Sequence, residues 1–248
     1  MFIPENALEE RLVAATTDPA ARPDFYRELV RSKLFIINEG AIPPREETRL
    51  TTEGERLAIR PVELDGRTYL PVFSSLTRLR AVLDREVGYL ALDALTFFEI
   101  TRGADLVLNY GSQYGKALLA DEVASIVDGS IFEPAARIRV GQETEVLIGH
   151  PAEPPVALMD VLRRVFSRHP AVRHAFVAIY GTRDEEPHTL IAIDADGEAD
   201  WDRIIGDAMI AMGGVAVPKP PVDFIRLNGS GVESHFRAPG STPFYTRG

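Results

Sequence analysis

Five histidines (His150, His169, His174, His188 and His235) are the side chains of this 248-residue chain best suited to proton transfer or metal ligation. Pro170 separates His169 from His174 and stops one helix from carrying both on the same face. His188 follows the carboxylates Asp184, Glu185 and Glu186, an N/O donor set that would converge only if the flanking strands paired. Neither spacing imposes ligand geometry, so ordinary titrating surface histidines are expected, with no metal and no cofactor. Ser112 lies in Gly111-Ser112-Gln113-Tyr114-Gly115, which is neither a G-x-S-x-G elbow nor a phosphate loop with its Lys-Ser/Thr ending. A turn joining a strand to a helix accounts for both glycines. Gly229-Ser230-Gly231 reads in the same spirit as a hairpin loop. General acid–base work needs two carboxylates in contrasting environments. Glu5, Glu9 and Glu10 read instead as a solvated helix face, and Glu46, Glu47, Glu53 and Glu55 as part of a polar excursion. There is no cysteine, which excludes disulfides, thiolate metal sites and cysteine nucleophiles. No catalytic constellation emerges.

The aromatic residues carry more. Phe73, Tyr110, Tyr114, Phe244 and Tyr245 are expected at strand ends or in loops. Phe73 reads first as a packed strand residue and second as a contact residue. Tyr110 and Tyr114 are expected to be half exposed, where an apolar ring with a hydroxyl tip suits a protein interface. With Asn109 these make up the candidate partner-binding set.

The elements that must position these residues follow from periodicity. Helices are predicted over residues 7–16 after the cap residue Asn6, and again after Asp18-Pro19, with Phe25, Leu29 and Val30 inward. A strand covers 33–38, and a polar stretch rich in Pro, Arg and Glu covers 40–54. Asp65-Gly66 sits between alternating runs at 57–64 and 68–74, the pattern of a tight β-hairpin. A helix at 75–83, a strand at 89–92, a helix at 94–101, a buried strand at 105–109 and a helix at 120–127 complete the first half. In the second half, helices are predicted at 156–167 and 199–212 and strands at 172–180, 188–194 and 222–227. The last residues, 241–248, are expected to lie along this half with Phe244 as anchor. The fold class is therefore α+β, with two domains at 1–132 and 146–248, a linker at about 133–145, and helices packed on small mixed or antiparallel sheets.

Composition narrows the partners. Hydrophobic residues make up 45% of the chain, enough for a core in each half. A formal net charge of −10 argues against a nucleic-acid groove and against anionic lipid. Met1-Phe2-Ile3-Pro4-Glu5 does not resemble a secretory signal, and the apolar window 208–218 falls short of the ~20 residues that span a bilayer. A cytoplasmic location is expected.

Several motifs carry a family resemblance in order along the chain. They are Leu70-Pro71-Val72-Phe73, then Leu106-Val107-Leu108-Asn109, then the Pro-rich opening from Gly149 to Pro155, and Pro243-Phe244-Tyr245 near the end. Together they resemble the SseB (enhanced serine sensitivity) family, with its N-terminal and C-terminal domains. One departure is that Tyr110 follows Asn109 where the family pattern leads one to expect proline. The resemblance implies a non-enzymatic accessory protein acting through another protein, in a stress, secretion or toxin-immunity setting, with self-association also allowed. A membrane translocon role is not implied, since long apolar helices and heptads are absent. Two rival readings stay open: amino-acid sensing, from the family's serine-sensitivity label, and a hydrolase or transferase using Ser112 or His188.

Overall fold

The computed structural model describes residues 2–38, 59–84, 87–133, 146–182 and 186–248. The expected polar excursion at 40–54, with its four glutamates, lies outside these residues, as do 57–58, Asp184, Glu185 and nearly all of the expected linker. The chain divides into two compact units, Met1–Ile131 and Phe132–Gly248. Both are α+β, with eight α-helices and eleven strands among the described residues.

In the first unit, α1 (Ala7–Thr17) starts where the Asn6 side chain accepts the Glu9 N–H at 3.0 Å. It stops at Asp18, whose carboxylate caps the next turn by accepting the Ala20 N–H. Pro19 then leads into α2 (Arg22–Arg31). Leu8 and Leu12 of α1 and Phe25 and Leu29 of α2 are buried. β1 (Lys33–Asn38) pairs antiparallel with β4 (Gly88–Asp93). β2 (Val62–Leu64) and β3 (Arg67–Val72) form the expected hairpin. Asp65 and Gly66 both adopt positive φ, 51° and 76°, the two-residue turn that matches strand twist.

β3 then runs parallel to β5 (Leu106–Leu108), which pairs antiparallel with β6 (Lys116–Leu118). β3 tolerates a proline because of where its neighbours stop. β2 ends opposite Tyr69, and Phe35 of β1 exchanges two backbone bonds with Phe73, at 2.8 and 2.9 Å. The missing Pro71 N–H falls in the gap between these two pairings. Three helices, α3 (Leu76–Arg80), α4 (Ala94–Ile100) and α5 (Ala120–Val127), complete the unit, and Phe97 and Phe98 of α4 are fully buried.

One expectation is corrected here. The segment Gly111–Gly115 does not join a strand to a helix; it joins β5 to β6. A three-residue strand has no readable period, so β6 carries no sequence signal of its own.

In the second unit, β7 (Val146–Gly149), β8 (Val172–Thr182), β9 (His188–Ala195), β10 (Val222–Arg226) and β11 (Tyr245–Thr246) form one sheet in the order β10-β9-β8-β11, with β7 also on β8. Only β9 and β10 are parallel, and α7 (Trp201–Met212) provides the crossover such a pair needs. Phe176, Ala178 and Tyr180 of β8 and Leu190 and Ala192 of β9 share one face with Leu227 and Phe236, the latter from α8 (Glu233–Arg237). β9 is buried along its whole length, which requires cover on both faces. The amphipathic α6 (Val156–Phe166), packed on α7, supplies the other cover. Gly229-Ser230-Gly231 connects β10 to α8 and is not the expected hairpin loop. No helix among the described residues is long and apolar enough to cross a membrane.

Candidate functional site

The first unit contains a polar cluster where apolar side chains would be ordinary. Glu9, on the first turn of α1, has no exposed surface, although its neighbours Glu5 and Glu10 are exposed. This overturns the expectation of a solvated carboxylate for Glu9 alone. Both Glu9 oxygens are saturated. Oε1 accepts from the Ser74 hydroxyl at 2.7 Å, the Ser75 hydroxyl at 3.1 Å and Arg78 Nε at 3.2 Å. Oε2 accepts from Arg78 Nη2 at 2.8 Å and the Glu5 N–H at 2.9 Å. Burial pushes the Glu9 carboxyl up, but the bonds from Arg78, Ser74, the Glu5 N–H and Ser75 outweigh it and hold the group below its ordinary value. The same pairing raises the Arg78 guanidinium.

The network continues to Asn109, which is 1% exposed and holds φ at +55°. Asn109 Oδ1 accepts the Ser74 N–H at 2.9 Å, so its Nδ2 turns to the Ser74 oxygen, also at 2.9 Å. That leaves the Ser74 hydroxyl proton for Glu9. Asn6 Nδ2 closes the cluster on the Ser74 carbonyl at 3.0 Å. Four segments are thus tied together: the start of α1, the end of β3, the start of α3 and the end of β5.

What this cluster positions is a loop. Ser112 N–H donates to the Asn109 carbonyl at 3.0 Å, and Gly111 has φ +75°, the pattern of a type II turn. Proline is favoured at the second position of such a turn, which is Tyr110 here. The departure from the family pattern therefore keeps the turn and puts a half-buried aromatic ring at its tip. At Gly115 a Cβ would sit 2.8 Å from the Leu108 carbonyl oxygen, which accounts for the second glycine. Across the loop, the Phe2 ring meets Tyr114 edge-on at 5.0 Å and lies 3.8 Å from the Arg78 guanidinium.

The six expected contact residues are divided between the two units, and two of them, Phe73 and Asn109, are buried. Asn109, Tyr110 and Tyr114 share the loop, with both tyrosine rings half-buried. Phe73 is fully buried between β1 and β3, the packed strand residue of its first reading, with no exposed surface for its second, as a contact residue. Asn109 is buried too, and its side chain is spent inside the network. Phe244 and Tyr245 belong to the second unit. Phe244 N–H donates to the Ala175 carbonyl at 2.8 Å, its own carbonyl accepts from Arg163 Nε at 2.8 Å, and Tyr245 donates its hydroxyl to the Phe166 carbonyl. Both rings also pack near Phe166. The tail is docked, as expected, and both residues serve as internal anchors.

Three of the five histidines are each paired with a carboxylate, and the rings of the other two, His150 and His235, lie 5.8 Å apart. His169 faces Asp207 at 3.1 Å, His174 faces Asp194 at 3.2 Å and His188 faces Asp223 at 2.7 Å. His188 is 8% exposed, and its second nitrogen meets the Glu186 carbonyl, so neither ring nitrogen is left to act as base or ligand. Asp194 is the most heavily bonded of these carboxylates. Burial raises it, while Arg173, His174 and Asn228 hold it below the ordinary range. Among the described residues there is no group of three or more metal-ligating side chains, and the Ser112 hydroxyl makes no hydrogen bond to a base.

Glu9, Arg78 and Ser74 escaped the reading from sequence. One signal was present: Asn6-Ala7-Leu8-Glu9 has the spacing of a capping box, in which a Glu at the third helical position turns back toward the preceding backbone. Here it reaches the N–H of Glu5, one residue before the cap.

A chain of two α+β units, the first closed by a buried acid–guanidinium cluster, defines a class of small two-domain proteins without an evident catalytic centre among the described residues. Comparison with known families makes the assignment specific. Residues 8–125 match the SseB protein N-terminal domain and residues 140–247 match the SseB protein C-terminal domain. The chain belongs to the SseB family. It is 30% identical to Protein SseB of Escherichia coli (strain K12) over 251 residues, covering 98% of this chain and 93% of that relative, and matches Protein SseB of Shigella flexneri to the same extent. No solved structure matches.

Proposed function

We propose that this chain works as an accessory protein that binds another protein through the loop between β5 and β6, with Tyr110 and Tyr114 as its contact residues. The observation that carries this reading is the investment around Asn109. A buried ion pair contributes little net stability over an apolar replacement, and a non-glycine residue at positive φ costs about 1–3 kcal/mol. Both are used here to hold a surface loop that carries two half-buried tyrosines. Such rings supply contact area at low entropic cost, and rigid support lowers the cost of binding.

The test is capture from the source cytoplasm by the full chain and by a Tyr110→Ala/Tyr114→Ala variant, followed by identification of what each retains. A partner held by the wild type and lost by a folded double variant supports the reading. A partner held equally by both, or a wild type that stays a lone monomer after cross-linking, sinks it.

A further inference from the structure

Arg78 and Tyr114, the slot of two side chains against the Phe2 ring, sit on well-supported backbone, whereas the segment that carries Phe2 is thinly attached. Arg78 is fixed by its two-point pairing with the buried Glu9, and Tyr114 sits on the loop held by Asn109. The occupant is Phe2, with the ring between the guanidinium and the tyrosine. Its own N–H donates to Gln113 Oε1 at 3.2 Å, and the next carbonyl, that of Ile3, accepts from Arg78. Beyond Phe2 the segment lies on the surface: Ile3 is 68% exposed, and Pro4 and Glu5 are exposed too. Among the described residues, one half-buried ring, three hydrogen bonds, the third from the Glu5 N–H to Glu9, and the attraction of Glu5 to Arg78 hold this segment. Segments with so few buried contacts open locally without the rest of the unit.

We infer that this slot is a recognition site for an aromatic residue in an extended peptide segment, and that Phe2–Glu5 is an exchangeable occupant which a partner's segment displaces. The chemistry of the match is explicit. An aromatic ring stacks on a guanidinium and meets a tyrosine edge-on, the main-chain N–H of that residue is read by Gln113, and the following carbonyl is read by Arg78. Every one of these contacts is made to a ring or to main chain, so any segment with an aromatic residue and a free following carbonyl meets the requirement. Tethering gives Phe2 an effective concentration on the order of millimolar, which blocks weak competitors and leaves the slot to segments with further contacts. Tyr114 belongs both to this slot and to the loop of the proposed function, so the inference deepens that reading by naming what the partner presents.

The experiment uses the full chain and the peptide acetyl-Phe-Ile-Pro-Glu-Asn-amide, followed by NMR shifts of the Arg78 side chain and the Tyr114 ring. The peptide is expected to bind Phe2→Ala saturably below about 10 mM and the wild type roughly 10-fold more weakly. It should lose that affinity when its Phe is replaced by Ala or when Tyr114→Ala is added to Phe2→Ala. No shifts in a folded Phe2→Ala up to about 10 mM, or equal binding to both proteins, overturn the inference. A second measurement needs no variant. The Glu5 amide should exchange with solvent at least ~100-fold faster than the amides of Phe73 and Asn109, and equal protection would show a segment that does not leave. A null titration removes the slot, while the Tyr110→Ala/Tyr114→Ala capture separately judges the partner surface.

Discussion

Glu9 carries a large electrostatic stake in the first unit, because a carboxylate with no exposed surface depends on its donors, four of the five bonds coming from Arg78, Ser74 and Ser75. Removing it by Glu9→Ala strands the Arg78 guanidinium, which is 13% exposed, and should cost about 3–5 kcal/mol in chemical denaturation at neutral pH. The pH dependence follows from the direction of its shift. The folded carboxyl titrates below its ordinary value of 4.5, so the unfolded chain takes up protons first as pH falls. The stability contributed by the pairing is complete above about 4.5 and is lost as pH drops through the folded value. Glu9→Gln should therefore start less stable at pH 7 and lose less than the wild type on going to acid; parallel curves would rule this out. Asn109 offers a cleaner test of backbone conformation. Asn109→Gly and Asn109→Ala lose the same hydrogen bonds, but only alanine resists φ +55°, so the alanine variant should be about 1–2 kcal/mol less stable than the glycine variant. None of this was readable from helix periodicity. Glu9 sits next to Leu8 on a helix whose charged residues look solvated, and its partner Arg78 is far away in the chain.

Secondary structure was legible where an element is long or ends on a defined chemical signal. The Asp65-Gly66 turn demands two positive φ values, and both are present. α5 begins and ends at the expected residues, and β1 does too. β6, β7 and β11 were not foreseen as strands because they have two to four residues each. Strands that short are selected by the neighbour they pair with, and pairing is not a local property of sequence. The histidines show the same limit: His188 was expected as an ordinary surface histidine, yet it is buried and faces Asp223, on the adjacent parallel strand. Phe73 is the element-scale position most open to test. It joins β1 to the end of β3 and is fully buried, so Phe73→Ala should cost about 3–5 kcal/mol with a cooperative transition retained. A loss below about 1 kcal/mol would mean that the aromatic ring is not part of the packed joint.

At the scale of the whole molecule, the division into two units and the α+β class followed from length, from the charged and Pro-rich interval between the halves, and from motifs that recur in family order. Tyr110 and Tyr114 were marked in the sequence as contact candidates; the buried network that holds their loop was not, because its members come from four separate segments. Charge adds one further constraint. Thirty-seven acidic and 27 basic residues leave a formal net charge of −10. A field of that sign accelerates encounter with a basic protein and slows encounter with an acidic one. The slot beside Arg78 does not oppose this, since Glu9 balances the guanidinium within the cluster. A basic partner, once captured, should associate more slowly as salt rises from about 50 to 300 mM and an acidic one faster, with dissociation changing little in either case, because screening acts on the approach and the docked contacts are short-ranged. An association rate indifferent to salt would mean that the acidic surface serves solubility alone and that recognition rests wholly on the loop and its neighbouring slot.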